Sequence, residues 1–129
     1  MRIKLISIFV DDQEKALRFY TDVLGFKKKQ DFPVGGARWI TVVSPEGPDD
    51  LELVLEPNGH PAASVYQAAL RKDGIPATAF ESTAIQSEVQ RLKDKGVVFT
   101  MEPTAAGTVT IAIFSDTCGN LIQIYQPKT

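Results

Sequence analysis

The 129 residues include one cysteine, Cys118, and one histidine, His60. A lone cysteine closes no internal disulfide, which points to a reducing, cytoplasmic setting. No run approaches the roughly 18 apolar residues that a membrane span needs. The opening Met1-Arg2-Ile3-Lys4-Leu5 runs straight into a strand-like pattern, with no apolar stretch ahead of a small-residue cleavage site, so no signal peptide is expected. There is no basic stripe either. Lys and Arg number 14 against 16 Asp and Glu, spread along the chain, for a net charge of −2. Nucleic acid is therefore not an expected partner. No Ser-His-acid set and no phosphate loop is present; Gly35-Gly36 reads as a turn or loop.

What is present is ordinary globular material, 43% hydrophobic and 23% charged, long enough for one domain with its own core. Ile3 to Val10 is β-branched and aromatic, as in a strand covered on both sides. Asp11 and Asp12 end it, and Asp11 with Glu14 resembles a capping box. Ala16, Leu17, Tyr20, Val23 and Leu24 follow helical spacing, and Gly25 stands where a left-handed cap belongs. Strands are expected over 26–32, 38–44 and 51–56, separated by Pro33 with Gly35-Gly36 and by Pro45-Glu46-Gly47-Pro48. A connector follows over 58–76, with a short helix from Ala62 to Lys72 ended by Gly74.

The second half repeats this order: a strand over 77–82, a helix carrying Ile85, Val89 and Leu92 with Gly96 as its cap, then strands over 97–101, 108–114 and 121–125. Leu17 and Val89 stand 72 residues apart, as do Tyr20 and Leu92, whereas Gly25 and Gly96, and Glu52 and Gln123, stand 71 apart. That period is too long for a solenoid and fits a duplicated module. The expected fold is α+β: a single domain of two βαβββ modules, over 1–57 and 77–129, whose two sheets pack together.

Two strings carry a family resemblance. Val10 to Phe26 reads V-D-D-x-x-x-A-L-x-F-Y-x-x-V-L-G-F, and Asp116 to Ile124 reads D-x-x-G-N-L-I-x-I. Together they make the chain similar to the glyoxalase/bleomycin-resistance/dioxygenase (vicinal oxygen chelate) superfamily over nearly its whole length. The resemblance implies paired modules, each curling its sheet into half of a cupped, barrel-like mixed sheet, with a cavity in the cup and a homodimer. It also implies four cavity-facing ligand positions, a His on each module's first strand and a Glu on each last strand, which suit a divalent metal. In this chain those positions are Leu5, Glu52, Ala77 and Gln123. Only Glu52 is a strong ligand, so no metal or other cofactor is expected. Extradiol dioxygenase chemistry, which needs two His and a carboxylate, has too few histidines here.

Strand alternation then proposes a lining. With Glu52 facing the cup, Leu51, Leu53, Leu55, Ile122 and Ile124 face the helices. Ile40 and Val42 would lie helix-side, as would Val109, Ile111 and Ile113. The inward set is Ser7, Phe9, Trp39, Thr41, Glu52, Thr110, Phe114, Gln123 and Tyr125. Aromatic walls with a few hydroxyl and amide groups suit a small organic ligand. Cys118, in a turn with no base in view, is not an expected nucleophile.

Three functions fit. One is a metal-free binding protein of the bleomycin-resistance sort, with Glu52 and Glu56 as partners for a cation. Another is a glyoxalase-like lyase or isomerase, with Glu52 as base or in an atypical metal site; burial would raise its pKa for that task. The third is a regulatory module without catalysis.

Overall fold

A computed structural model of the chain describes residues 1–128; Thr129, the last residue expected in the second module, lies outside them. By its contacts the chain divides into two compact units, Met1–Gln67 and Ala68–Thr129. The first unit contains β1 (Leu5–Val10), α1 (Gln13–Arg18), β2 (Lys27–Val34), β3 (Ala37–Val43) and β4 (Glu52–Pro57). The division falls within α2 (Pro61–Lys72), which is followed by β5 (Thr78–Glu81), α3 (Ile85–Asp94), β6 (Phe99–Ala106), β7 (Val109–Ser115) and β8 (Leu121–Pro127). Each unit holds one mixed four-stranded sheet, ordered β1-β4-β3-β2 in the first and β5-β8-β7-β6 in the second. The first strand of each sheet runs parallel to the last, and the other pairs are antiparallel. The duplicated βαβββ order is thus present in both halves.

The residue that starts α1 is Asp12, not Asp11. Its backbone is extended and its side chain accepts from the Lys15 N–H at 3.0 Å, which satisfies one of the open donors of the first turn. Asp11 instead pairs with Lys15 through its carboxylate at 3.2 Å. The helix then widens into a single π-type turn over Phe19–Val23, and Gly25 leaves it with φ +88°, a conformation glycine adopts without strain.

In the first unit, Ile8, Val10, Ile40, Val42, Leu53 and Leu55 are buried on the sheet, and Ala16, Leu17, Phe19 and Tyr20 on the helical segment. In the second, Ile85, Val89 and Leu92 of α3 are buried, as are Ala112, Phe114, Ile122 and Ile124 of the sheet. Fully burying one such side chain stabilises by about 1.5–3 kcal/mol.

Two expectations are corrected here. The strand expected over 97–101 is β6, which begins at Phe99 and runs on past Pro103 to Ala106. Proline is tolerated because β6 is an outer strand, and the register with β7 shifts on either side of Met101. The second correction concerns β7. Its partners on β8 are Thr110↔Gln126, Ala112↔Ile124 and Phe114↔Ile122 on one face, and Ile111↔Tyr125 and Ile113↔Gln123 on the other. The first face is the helix side: Gln126 Oε1 accepts from the N–H of Ile85, the first residue of α3, at 2.7 Å. Thr110 and Phe114 therefore do not share a face with Gln123 and Tyr125, and Phe114 is fully buried core. The physical reason is packing. Ala112 lets the helix come close, and the Phe114 ring meets Phe99 with centroids 5.6 Å apart.

Candidate functional site

Paired residues on neighbouring strands share a face, so the register maps the face of the first sheet that carries Glu52. On β1, Leu5, Ser7 and Phe9 stand beside Glu52, Val54 and Glu56 of β4. Thr41 pairs with Val54, Gln30 with Thr41, and Phe32 with Trp39. The structure therefore brings Ser7, Phe9, Trp39, Thr41 and Glu52 to one face. Ser7 is exposed, Phe9 and Trp39 are half-buried, and Thr41 is fully buried.

Glu52 is the chemical centre of that face. It is only 2% exposed, so its carboxylate needs internal partners. The Thr41 hydroxyl donates to Oε1 at 2.7 Å, and the Gln30 amide donates to the same oxygen at 2.6 Å. Oε2 lies 4.0 Å from the ammonium of Lys4. The Thr41 hydrogen bond above all, then that of Gln30 and the charges of Lys29 and Lys4, hold the pKa of Glu52 below the ordinary carboxylate value, against the upward push of burial. The raised pKa expected from burial alone is thus overturned. Hydrogen bonds to the charged form outweigh desolvation.

Gln30 is the partner that sequence reasoning missed. The β2–β3 register runs Lys28↔Val42 and then Gln30↔Thr41, skipping Lys29. That bulge shifts the alternation by one residue and turns Gln30 onto the Glu52 face.

In the second unit, Gln123 and Tyr125 are half-buried and share a face with Ile113 and Ile111. Their neighbours on β5 are Ala79 and Glu81. The counterpart of Leu5 is therefore Ala79, two residues beyond the expected Ala77.

The donor set does not fit a divalent metal. The four positions carry Leu5, Glu52, Ala79 and Gln123: two side chains with no donor atom, one neutral amide, and one carboxylate already committed to Thr41 and Gln30. Among the described residues, no three His, Cys, Asp or Glu side chains form a group able to hold an ion. His60 has a different task. Its Nδ1 accepts from the Ala62 N–H at 3.0 Å, and its carbonyl accepts from Ala63 and Ser64 at 2.9 and 3.1 Å. It caps α2, with Pro61 in the first helical position.

The closing D-x-x-G-N string is structural as well. Asp116 is fully buried. Its Oδ1 accepts from the backbone N–H of Cys118 at 2.7 Å and of Asn120 at 2.9 Å, and its Oδ2 accepts from the Asn120 amide at 2.7 Å. This network fixes the turn between β7 and β8, in which Thr117 takes φ +62° and Gly119 φ +101°. Cys118 is buried within it.

Comparison with known proteins agrees with the fold. The model of the Glyoxalase/Bleomycin resistance protein/Dioxygenase superfamily matches residues 2–124. The uncharacterized protein YurT of Bacillus subtilis (strain 168) is 60% identical over 126 residues, covering 98% of this chain and 99% of YurT. Among solved structures, UcmS2 superposes with a TM-score of 0.83 at 30% identity, covering 97% of both chains. TnmS3, an antibiotic binding protein from Streptomyces sp. CB03234, superposes with a TM-score of 0.76 at 27% identity, covering 99% of this chain and 97% of TnmS3. No helix of the described residues is long and apolar enough to cross a membrane.

Proposed function

This chain belongs to the Glyoxalase/Bleomycin resistance protein/Dioxygenase superfamily, and we propose that it serves there as a binding protein. It holds a small organic molecule against the sheet face of Trp39, Thr41 and Glu52, with no resident metal ion, and works as a homodimer in the cytoplasm.

One observation carries this reading: the carboxylate of Glu52 is buried, doubly hydrogen-bonded on one oxygen and held ionised. A general base for proton abstraction needs a pKa pushed up toward the working pH. The shift here runs the other way, which argues against the lyase alternative. The metal-assisted form of that chemistry lacks the donor set. What remains is a fixed negative charge on a face that also carries Trp39 and Phe32, register partners across β3 and β2. Such a face suits a ligand with a flat apolar body and a cationic or hydrogen-bond-donating group. The antibiotic-binding role of TnmS3 supports the same class of function.

The test uses Trp39, the single tryptophan of the chain. Titration of purified protein with a panel of aromatic amines, amidines and neutral aromatics should give saturable changes in its fluorescence without added metal. Glu52→Gln should weaken the cationic ligands most. A flat response across the panel, or hemithioacetal turnover that disappears in Glu52→Gln, would overturn the proposal in favour of catalysis.

A further inference from the structure

Asn58 and Gly59 are neighbours in the loop between β4 and α2. Asn58 belongs to a relay of hydrogen bonds. Its side-chain amide donates to Gln67 Oε1 at 2.7 Å, and the Gln67 amide donates to the Phe9 carbonyl at 2.9 Å. The Asn58 N–H donates to the Val10 carbonyl at 3.0 Å. Gln67 is buried, so the relay ties the first turns of α2 to β1 where water competes little. We propose that Asn58 is a site of spontaneous modification: its side chain closes onto Gly59 as a succinimide, loses ammonia and opens to aspartate or isoaspartate, which breaks that tie.

Gly59 makes the ring closure accessible. The attacking atom is its backbone nitrogen. Gly59 is exposed, and nothing lies within 4 Å of the place a Cβ would take. No side chain shields the nitrogen, and the backbone of a glycine turns more freely than that of other residues. Among the described residues no hydrogen bond occupies its N–H. In the closure, the Gly59 nitrogen gives up its proton and bonds to Asn58 Cγ. The Cγ–Nδ2 bond breaks, and Nδ2 leaves as ammonia with that proton. Water then adds to one of the two ring carbonyls, and the choice of carbonyl decides between aspartate and isoaspartate. The other asparagine of the chain, Asn120, has no such opening. It precedes Leu121, is 4% exposed, and donates its amide to the buried Asp116 at 2.7 Å.

Gln67 sets the rate and suffers the consequence. While its Oε1 holds the Asn58 amide, that side chain is not free to turn onto the Gly59 nitrogen, and closure waits for the relay to open. The product cannot restore the relay, because a carboxylate only accepts. With Gln67 as it stands, Oε1 faces another acceptor. With Gln67 turned over, its amide reaches the carboxylate but Oε1 faces the Phe9 carbonyl. One of the two bonds is lost either way, at a buried place where an unmade bond is costly.

The full chain is incubated at mildly alkaline pH, and the peptide carrying Asn58 is followed by mass spectrometry. It should exchange ammonia for water, while the peptide carrying Asn120 keeps its mass. Gln67→Met, of like length but a poor acceptor, should convert about three- to tenfold faster, the factor that one hydrogen bond represents. Gly59→Ala, whose methyl has room in the fold, should convert more slowly. Asn58→Asp reads the consequence apart from the rate: the Gln67 side-chain amide signals should move, and the backbone amides from Ala63 to Gln67 should exchange faster, with those of β7 and β8 unchanged. Four results would each overturn the proposal. They are an Asn58 that stays intact in the folded chain while the urea-unfolded chain converts, a Gly59→Ala chain that converts as fast as wild type, a Gln67→Met chain that converts no faster, and an Asn58→Asp chain in which Gln67 is undisturbed.

Discussion

Replacing Thr41 with valine tests the central claim about Glu52 most directly. The two side chains are close in shape, so the fully buried site is neither emptied nor overfilled. What is lost is one 2.7 Å hydrogen bond to Glu52 Oε1. A bond to a charged, buried acceptor contributes about 1.5–3 kcal/mol, and the larger figure applies when the acceptor loses a donor without gaining water. Gln30 still donates at 2.6 Å, so the carboxylate is not left bare. The expected loss at neutral pH is therefore about 2 kcal/mol. The sign of the pH dependence follows from the depressed pKa. The folded state favours ionised Glu52, so its contribution is full above the unfolded-state pKa and is lost as pH falls through the lower folded-state value. Removing the Thr41 hydroxyl raises the folded value. The gap between wild type and variant should thus be widest near pH 7 and close in acid. Urea unfolding from pH 7 down to about pH 3.5 reads both curves, and carbon-13 NMR of the Glu52 carboxylate should show the variant titrating at higher pH. A gap that stays constant over that range, or that is below about 0.5 kcal/mol at pH 7, would refute the reasoning.

Three further outcomes are expected. Elemental mass spectrometry after loading with nickel, zinc, manganese or ferrous iron and desalting should find no stoichiometric ion; about one per chain, lost in Glu52→Ala, would overturn the metal-free reading. Asp116→Ala removes the acceptor for two backbone N–H groups and the Asn120 amide; it should destabilise by about 3 kcal/mol or more, read by urea or thermal unfolding. His60→Ala should lose about 1 kcal/mol of local stability at the start of α2, seen as faster amide exchange at Ala62 and Ala63, while His60→Asn retains most of it because asparagine also caps.

The βαβββ duplication was legible because caps, turn residues and spacing agreed in both halves, and they name the structure's strands to within a few residues. So was the face shared by Trp39, Thr41 and Glu52, since β3 and β4 alternate without interruption. The opposite assignment on β7 came from trusting hydrophobicity. Val109, Ile111 and Ile113 look more like core than Thr110, Ala112 and Phe114, yet Ile111 is half-buried and Ala112 and Phe114 are fully buried. The repeat could not have corrected it: on either side of β3, at Gly25 and Glu52, it runs at 71 residues and carries Val42 to Ile113, whereas the strand register matches Val42 with Ala112. Gln30 was hidden by the skipped residue Lys29, which no alternation rule anticipates. The direction of the Glu52 shift was illegible for another reason. Strand pattern reports that a carboxylate is buried, but not how many donors point at it.

Each sheet carries a proline in its outermost strand, Pro33 in β2 and Pro103 in β6. A proline offers no N–H to a neighbouring strand. Its presence breaks the row of donors along which a foreign segment would add. These two edges are therefore poor templates for fibril growth, and crowded, partly folded copies gain little by zipping together there. Exchanging either proline for threonine would restore a complete row of donors and make aggregation, rather than folding, the first property to change.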